Sequence, residues 1–113
     1  MPMEKTILAK DLEICRILNG MWQVAGGHGQ IDSESAVSDM EKYHESGFTT
    51  WDLADIYGPA ESLIGEFRRK VDKEEKFQAL TKFVPNPGPM SNSIVTHYIE
   101  QSLKKMDTDC IDL

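Results

Sequence analysis

Apolar positions along this chain fall into short dense runs separated by stretches of helical spacing. Residues 14–19 (ICRILN), 48–51 (FTTW) and 77–80 (FQAL) are rich in branched and aromatic side chains and predict strands, and residues 110–113 (CIDL) begin a fourth. Between them the apolar residues recur every three or four positions. Asp32 or Ser33 can cap a first helix carrying Ala36, Val37, Met40 and Tyr43, and Gly47 stops it. Pro59 opens a second helix with Glu61 near its positive end, and Ala60, Leu63, Ile64, Phe67 and Val71 form its apolar stripe. After the proline-rich loop VPNPGPM, Ser91 or Ser93 begins a third, with Val95, Tyr98, Ile99, Ser102, Leu103 and Met106 directed inward. Residues 1–13 are polar and read as an extended lead-in, and no internal repeat is visible.

The resulting order is βαβαβαβ. Crossovers of this length imply parallel strands with right-handed connections, an α/β fold that is either a doubly wound sheet or a barrel. In both, chemistry collects beyond the carboxyl ends of the strands.

That is where the polar side chains of greatest interest fall. The segment WDLADIYG (residues 51–58) carries Asp52 at a strand end and Tyr57 just before a Gly-Pro turn, while the third strand runs into Lys82. If the two strands are neighbours, a carboxylate, a phenol and an ammonium meet at one end of the sheet. A free phenol, with a pKa of about 10, is a poor acid at neutral pH, and a nearby ammonium favours the phenolate. A carboxylate beside that ammonium keeps it charged on partial burial. Each residue alone has an ordinary structural explanation; the three together form a set suited to proton transfer.

These residues carry a family resemblance. The chain resembles the N-terminal portion of an aldo-keto reductase, in its Asp-x-x-x-x-Tyr motif (Asp52 to Tyr57), its strand-terminal Lys82, the Gly-x-Trp-Gln of Gly20, Met21, Trp22 and Gln23, and the closing MDTDCIDL. The resemblance decides for the N-terminal half of a (β/α)8 TIM barrel, since 113 residues are less than half of the roughly 250 a complete barrel needs. It implies one partial domain over residues 1–113, truncated before the family's catalytic histidine. It also implies an NADPH-dependent oxidoreductase that reduces an aldehyde or ketone. Carried onto this chain, Tyr57 is the general acid, Lys82 assists departure of its proton and Asp52 holds Lys82. Met21, Trp22 and Asp52 approach the cofactor. A non-catalytic accessory protein of the same fold, such as a channel subunit, and an inactive truncated product remain open alternatives.

Composition narrows the partners. A net charge of −7 argues against nucleic acid and anionic membranes, and no segment has the pattern of a signal peptide, transit peptide or membrane span, so cytoplasm is the expected compartment. Cys15 and Cys110, each in a predicted strand, are expected to be buried free thiols. His28, His44 and His97 are scattered without ligand spacing, so no metal site is expected. Gly26, Gly27 and Gly29 around His28 lack a complete phosphate-loop motif and read as a flexible loop at the barrel mouth. By itself the chain should present two open sheet edges and an uncovered apolar sheet face, and is therefore expected to be molten or self-associating, without NADPH-dependent reduction. Oligomeric state and the choice of carbonyl substrate are not written in these residues.

Overall fold

The computed structural model describes residues 3–25 and 31–113; the glycine-rich segment around His28 lies outside them. A β-hairpin of β1 (Lys5–Ala9) and β2 (Leu12–Cys15) comes first, then β3 (Asn19–Gly20) and a 3-10 turn (Trp22–Ala25). Helices and strands then alternate: α1 (Ser33–Glu45), β4 (Thr50–Asp52), α2 (Ala60–Lys70), β5 (Gln78–Leu80) and α3 (Asn92–Met106). Strands β3, β4 and β5 form a parallel sheet in sequential order, with Gly20 opposite Asp52 and Asp52 opposite Leu80.

The helices begin and end for local reasons. Asp32 caps α1 by accepting from the Ser35 amide at 3.0 Å, and Ser91 caps α3 by accepting from the Ile94 amide at 3.3 Å. Gly47 follows the end of α1 with φ +96°, the left-handed conformation that its sequence position predicts. Pro59 stands one residue earlier than expected, as the residue capping α2 rather than inside its first turn. The predicted stripe of α2 is the centre of the molecule. Ala60, Leu63, Ile64 and Phe67 are fully buried in one cluster with Trp51 and Ala79 of the sheet, Leu53 just beyond β4, and Met106 of α3. Burying each of the larger side chains is worth roughly 1.5–3 kcal/mol.

Because Trp51 and Ala79 face the helices, alternation along the strands turns Thr50, Asp52, Gln78 and Leu80 to the other face. This face is mostly polar, contrary to the apolar surface expected from the sequence, and the Thr50 hydroxyl donates to Gln78 across it at 2.9 Å.

Further expectations are corrected. Residues 1–13 are not a simple lead-in, because Lys5–Ala9 folds back antiparallel on Leu12–Cys15. The run 14–19 is not one strand: Arg16 donates its amide to Glu4 at 2.8 Å and extends the hairpin, and only Asn19–Gly20 joins the parallel sheet. Residues 110–113 form no strand, and Cys110 is exposed, whereas Cys15 is buried as expected. The final residues instead cap β5, since Ala79 donates to the Asp112 carboxylate at 2.8 Å and Thr81 to the Leu113 carbonyl at 2.9 Å. An acidic side chain in place of a ladder partner covers one of the edges expected to be open. Ile99, assigned inward from its spacing, is 38% exposed, whereas Ser102 and Met106, assigned inward with it, are buried.

Candidate active site

The carboxyl ends of β4 and β5 converge on Lys82. Its ammonium donates to Asp52 Oδ1 at 2.6 Å and to the Leu53 carbonyl at 2.8 Å. It also stands 5.2 Å from the centroid of the Tyr57 ring. The three side chains singled out in the sequence are thus brought together by the parallel register of neighbouring strands. The pair is not deeply buried, with the Lys82 and Asp52 side chains 47% and 43% exposed, so its strength comes from geometry and a double anchor rather than from exclusion of water.

Partial desolvation pulls the Lys82 pKa down. The hydrogen bond and charge of Asp52, joined by the Tyr57 phenol, outweigh it and leave the ammonium above its ordinary 10.5. A raised lysine pKa contributes stability that is complete below the unfolded value and disappears as pH climbs through the folded one. The Lys82 cation therefore persists throughout the neutral range and is lost only in alkali.

Tyr57 is fixed by its turn. Its amide donates to the Ala54 carbonyl at 3.0 Å, and its own carbonyl accepts from Ala60 at the start of α2, also at 3.0 Å. Gly58 follows with φ +53°, and a Cβ there would stand 3.1 Å from the Val24 carbonyl oxygen and 3.2 Å from Ala25 Cα. Only glycine lets the tyrosine turn lie this close to the Trp22–Ala25 segment. Gly58→Ala is expected to combine about 1–2 kcal/mol of left-handed strain with that crowding. Its melting temperature should fall and the two segments should move apart. An unchanged melting curve would show that the close approach is not maintained.

Trp22 reaches the same end of the sheet because the Met21 amide donates to the Asp52 carbonyl at 3.0 Å. Its indole is 60% exposed, whereas the Met21 side chain is 5% exposed and packed in the core. Two acidic residues not singled out for the site also serve this region: Asp55, and Glu61, expected only to favour the start of α2. Glu61, 2% exposed at the start of α2, accepts from the Thr81 hydroxyl at 2.8 Å. Asp55 donates its amide to the Lys82 carbonyl at 3.1 Å, and its carboxylate accepts from the Val84 amide. Their position inside WDLADIYG and just after Gly-Pro was the available signal. The two histidines on helices stand away from this site: His44 pairs with Glu75 at 2.7 Å, and His97 packs against Tyr98. Among the described residues no helix is long and apolar enough to cross a membrane.

The aldo/keto reductase family model matches residues 16–113. The chain belongs to the aldo/keto reductase family. It is 32% identical to 6-dehydroglucose reductase of Agrobacterium fabrum over 98% of its own length and 42% of that protein. It is 30% identical to the aldo-keto reductase yakc [NADP(+)] of Schizosaccharomyces pombe, over 76% of this chain and 28% of that one. Among solved structures, the thermostable aldo-keto reductase Tm1743, crystallised with the inhibitor epalrestat, superposes with a TM-score of 0.78 at 25% identity, covering 96% of this chain and 40% of that one. This aldo/keto reductase chain thus spans less than half the length of the relatives it matches. Its parallel sheet with flanking helices is the corresponding part of their fold.

Proposed function

We propose that this chain is the N-terminal half of a (β/α)8 barrel that reduces aldehydes or ketones to alcohols with NADPH, using Tyr57 as general acid. The observation that carries the proposal is the Lys82 ammonium, held at 2.6 Å by Asp52 and 5.2 Å from the Tyr57 ring. A fixed cation at that distance stabilises negative charge left on the phenol oxygen once its proton has gone to the substrate. Asp52 and the Leu53 carbonyl keep the ammonium from swinging into solvent. Tyr57 then presents its hydroxyl to a carbonyl oxygen on which charge is developing.

The strand ends suit a nicotinamide in part. The exposed Trp22 indole offers a flat apolar wall, and the half-exposed Asp52 carboxylate offers an acceptor beside it. Met21 supports this position through its backbone, its side chain being committed to the core. When bound, NADPH supplies the hydride; these residues orient the ring and supply the proton. The preference for NADPH rests on the family and on the NADP-named relative. The free thiols of Cys15 and Cys110 suit a reducing compartment such as the cytoplasm.

The test uses a barrel-completed protein, this chain joined to the remaining length of a relative such as 6-dehydroglucose reductase. NADPH consumption dependent on an added aldehyde or ketone is expected. A folded chimera that binds NADPH yet reduces none of a broad carbonyl panel would overturn the proposal.

A further inference from the structure

Beyond Leu80 the ladder of β5 ends, and Lys82 lies in a segment without regular structure. Something else must fix the backbone from which its side chain projects. The Leu53 amide still donates to the Leu80 carbonyl at 2.8 Å, continuing the ladder by one step. The next step belongs to Asp55, whose amide donates to the Lys82 carbonyl at 3.1 Å. Its side chain adds a step the backbone cannot supply, because the Val84 amide donates to both carboxylate oxygens, at 3.2 Å to Oδ1 and 3.1 Å to Oδ2. Asp55 therefore grips the segment on both sides of Phe83. It also belongs to the same turn as Tyr57, whose amide bonds to Ala54.

We infer that Asp55 is a positioning residue that clamps the Lys82–Val84 segment to the Tyr57 turn and so sets the separation of ammonium and phenol. Asp52 holds the end of the Lys82 side chain; Asp55 holds its root. A long flexible side chain anchored only at its tip would let its backbone drift, and the Tyr57 ring would drift relative to it. Charge-assisted acceptance from a backbone amide is among the stronger hydrogen bonds, and removing the carboxylate leaves the Val84 amide without that acceptor.

The inference rests on reading Tyr57 and Lys82 as a proton-transfer pair, yet its primary readout is geometric and independent of turnover. In the barrel-completed protein with ¹³Cε-labelled lysine, the Lys82 methylene should show a ring-current shift and a nuclear Overhauser contact from Tyr57. Asp55→Ala should abolish both and accelerate exchange of the Val84 amide, whereas Asp55→Asn, which keeps one oxygen acceptor, should retain most of the contact. Activity should follow, with kcat falling at least tenfold in Asp55→Ala, KM changing little, and Asp55→Asn restoring much of the loss. An Asp55→Ala protein with an unaltered Lys82–Tyr57 contact would overturn the inference, even if its melting temperature had dropped. Should the alanine variant fail to fold, the unmodified protein decides. A protected Val84 amide that shows hydrogen-bond coupling to the Asp55 carboxylate supports the clamp, and a Val84 amide exchanging at the free-chain rate contradicts it. If the clamp is present but no variant or parent turns over any carbonyl, the functional proposal fails while this one stands.

Discussion

Tyr57→Phe in the barrel-completed protein is expected to lose most carbonyl reduction, by roughly 10²–10⁴-fold in kcat, the usual contribution of a positioned general acid. The substitution deletes a single hydroxyl. The ring keeps its place 5.2 Å from the Lys82 ammonium, and the turn that carries it is set by backbone bonds to Ala54 and Ala60. Folding and NADPH binding should therefore remain close to normal, so the loss would appear in kcat far more than in KM. Steady-state kinetics on several aldehydes, with a melting curve and a cofactor titration as controls, checks this. Near-normal turnover would remove Tyr57 from the chemistry.

The largest structural effect is expected at a position with no chemical role. Gly65 lies in the middle of α2, buried, and a Cβ built there overlaps the Lys105 carbonyl oxygen of α3. The two helices touch backbone to side-chain-free backbone. Alanine normally favours a helix over glycine by about 1 kcal/mol. Here that gain is reversed, because the new methyl group meets a carbonyl in a neighbouring helix rather than a flexible side chain. Pushing α3 away also disturbs the Met106 side chain in the core and the 2.9 Å bond from Arg68 to the Met106 carbonyl. Overpacking of this kind costs typically 1–3 kcal/mol. A net loss of about 2 kcal/mol, or roughly 4–8 °C in melting temperature for a protein of barrel size, is the expected outcome of Gly65→Ala. A variant as stable as the parent would mean that the helices can separate freely at this point.

The parts legible in the sequence were those where a local pattern and its tertiary role coincide. The α2 stripe from Ala60 to Phe67 is buried because a helix against a sheet needs one continuous apolar face, and the 3.6-residue spacing states which face. The meeting of Asp52 and Lys82 followed from two strands ending in charged residues and from the parallel register that places Asp52 opposite Leu80. Tyr57 came with them because it occupies the loop directly after β4.

Apart from the local β1–β2 hairpin, the missed features depend on contacts distant in sequence. The β1–β2 hairpin has no strong turn signal at Lys10 and Asp11, and β1 is exposed along its whole length, so polarity alone suggested an unstructured lead-in. The run 14–19 looks like one strand because its composition is uniform, but its first half pairs with the hairpin and only its last residue continues into β3. At the other end, residues 110–113 have strand composition without forming one; the Asp112 side chain takes the Ala79 amide that a backbone partner would otherwise take. A carboxylate that substitutes for a ladder acceptor leaves no periodic trace. The same holds for Asp55 and Glu61, whose partners Val84 and Thr81 are fixed only once β5 is placed beside β4.

Whether the Lys82 cation governs proton transfer from Tyr57, as we claim, is decided by the pH dependence of carbonyl reduction in Lys82→Met compared with its parent, both as barrel-completed proteins. Methionine keeps much of the length of the side chain and removes the charge that Asp52 and Leu53 hold in place. The expected result is a large fall in kcat, with the break in the pH–rate profile displaced to higher pH, because the negative charge left by the departing proton has lost its neighbouring cation. A Lys82→Met profile that coincides with that of the parent, in both height and position, would contradict the claim and return Lys82 to the status of an ordinary strand-end lysine.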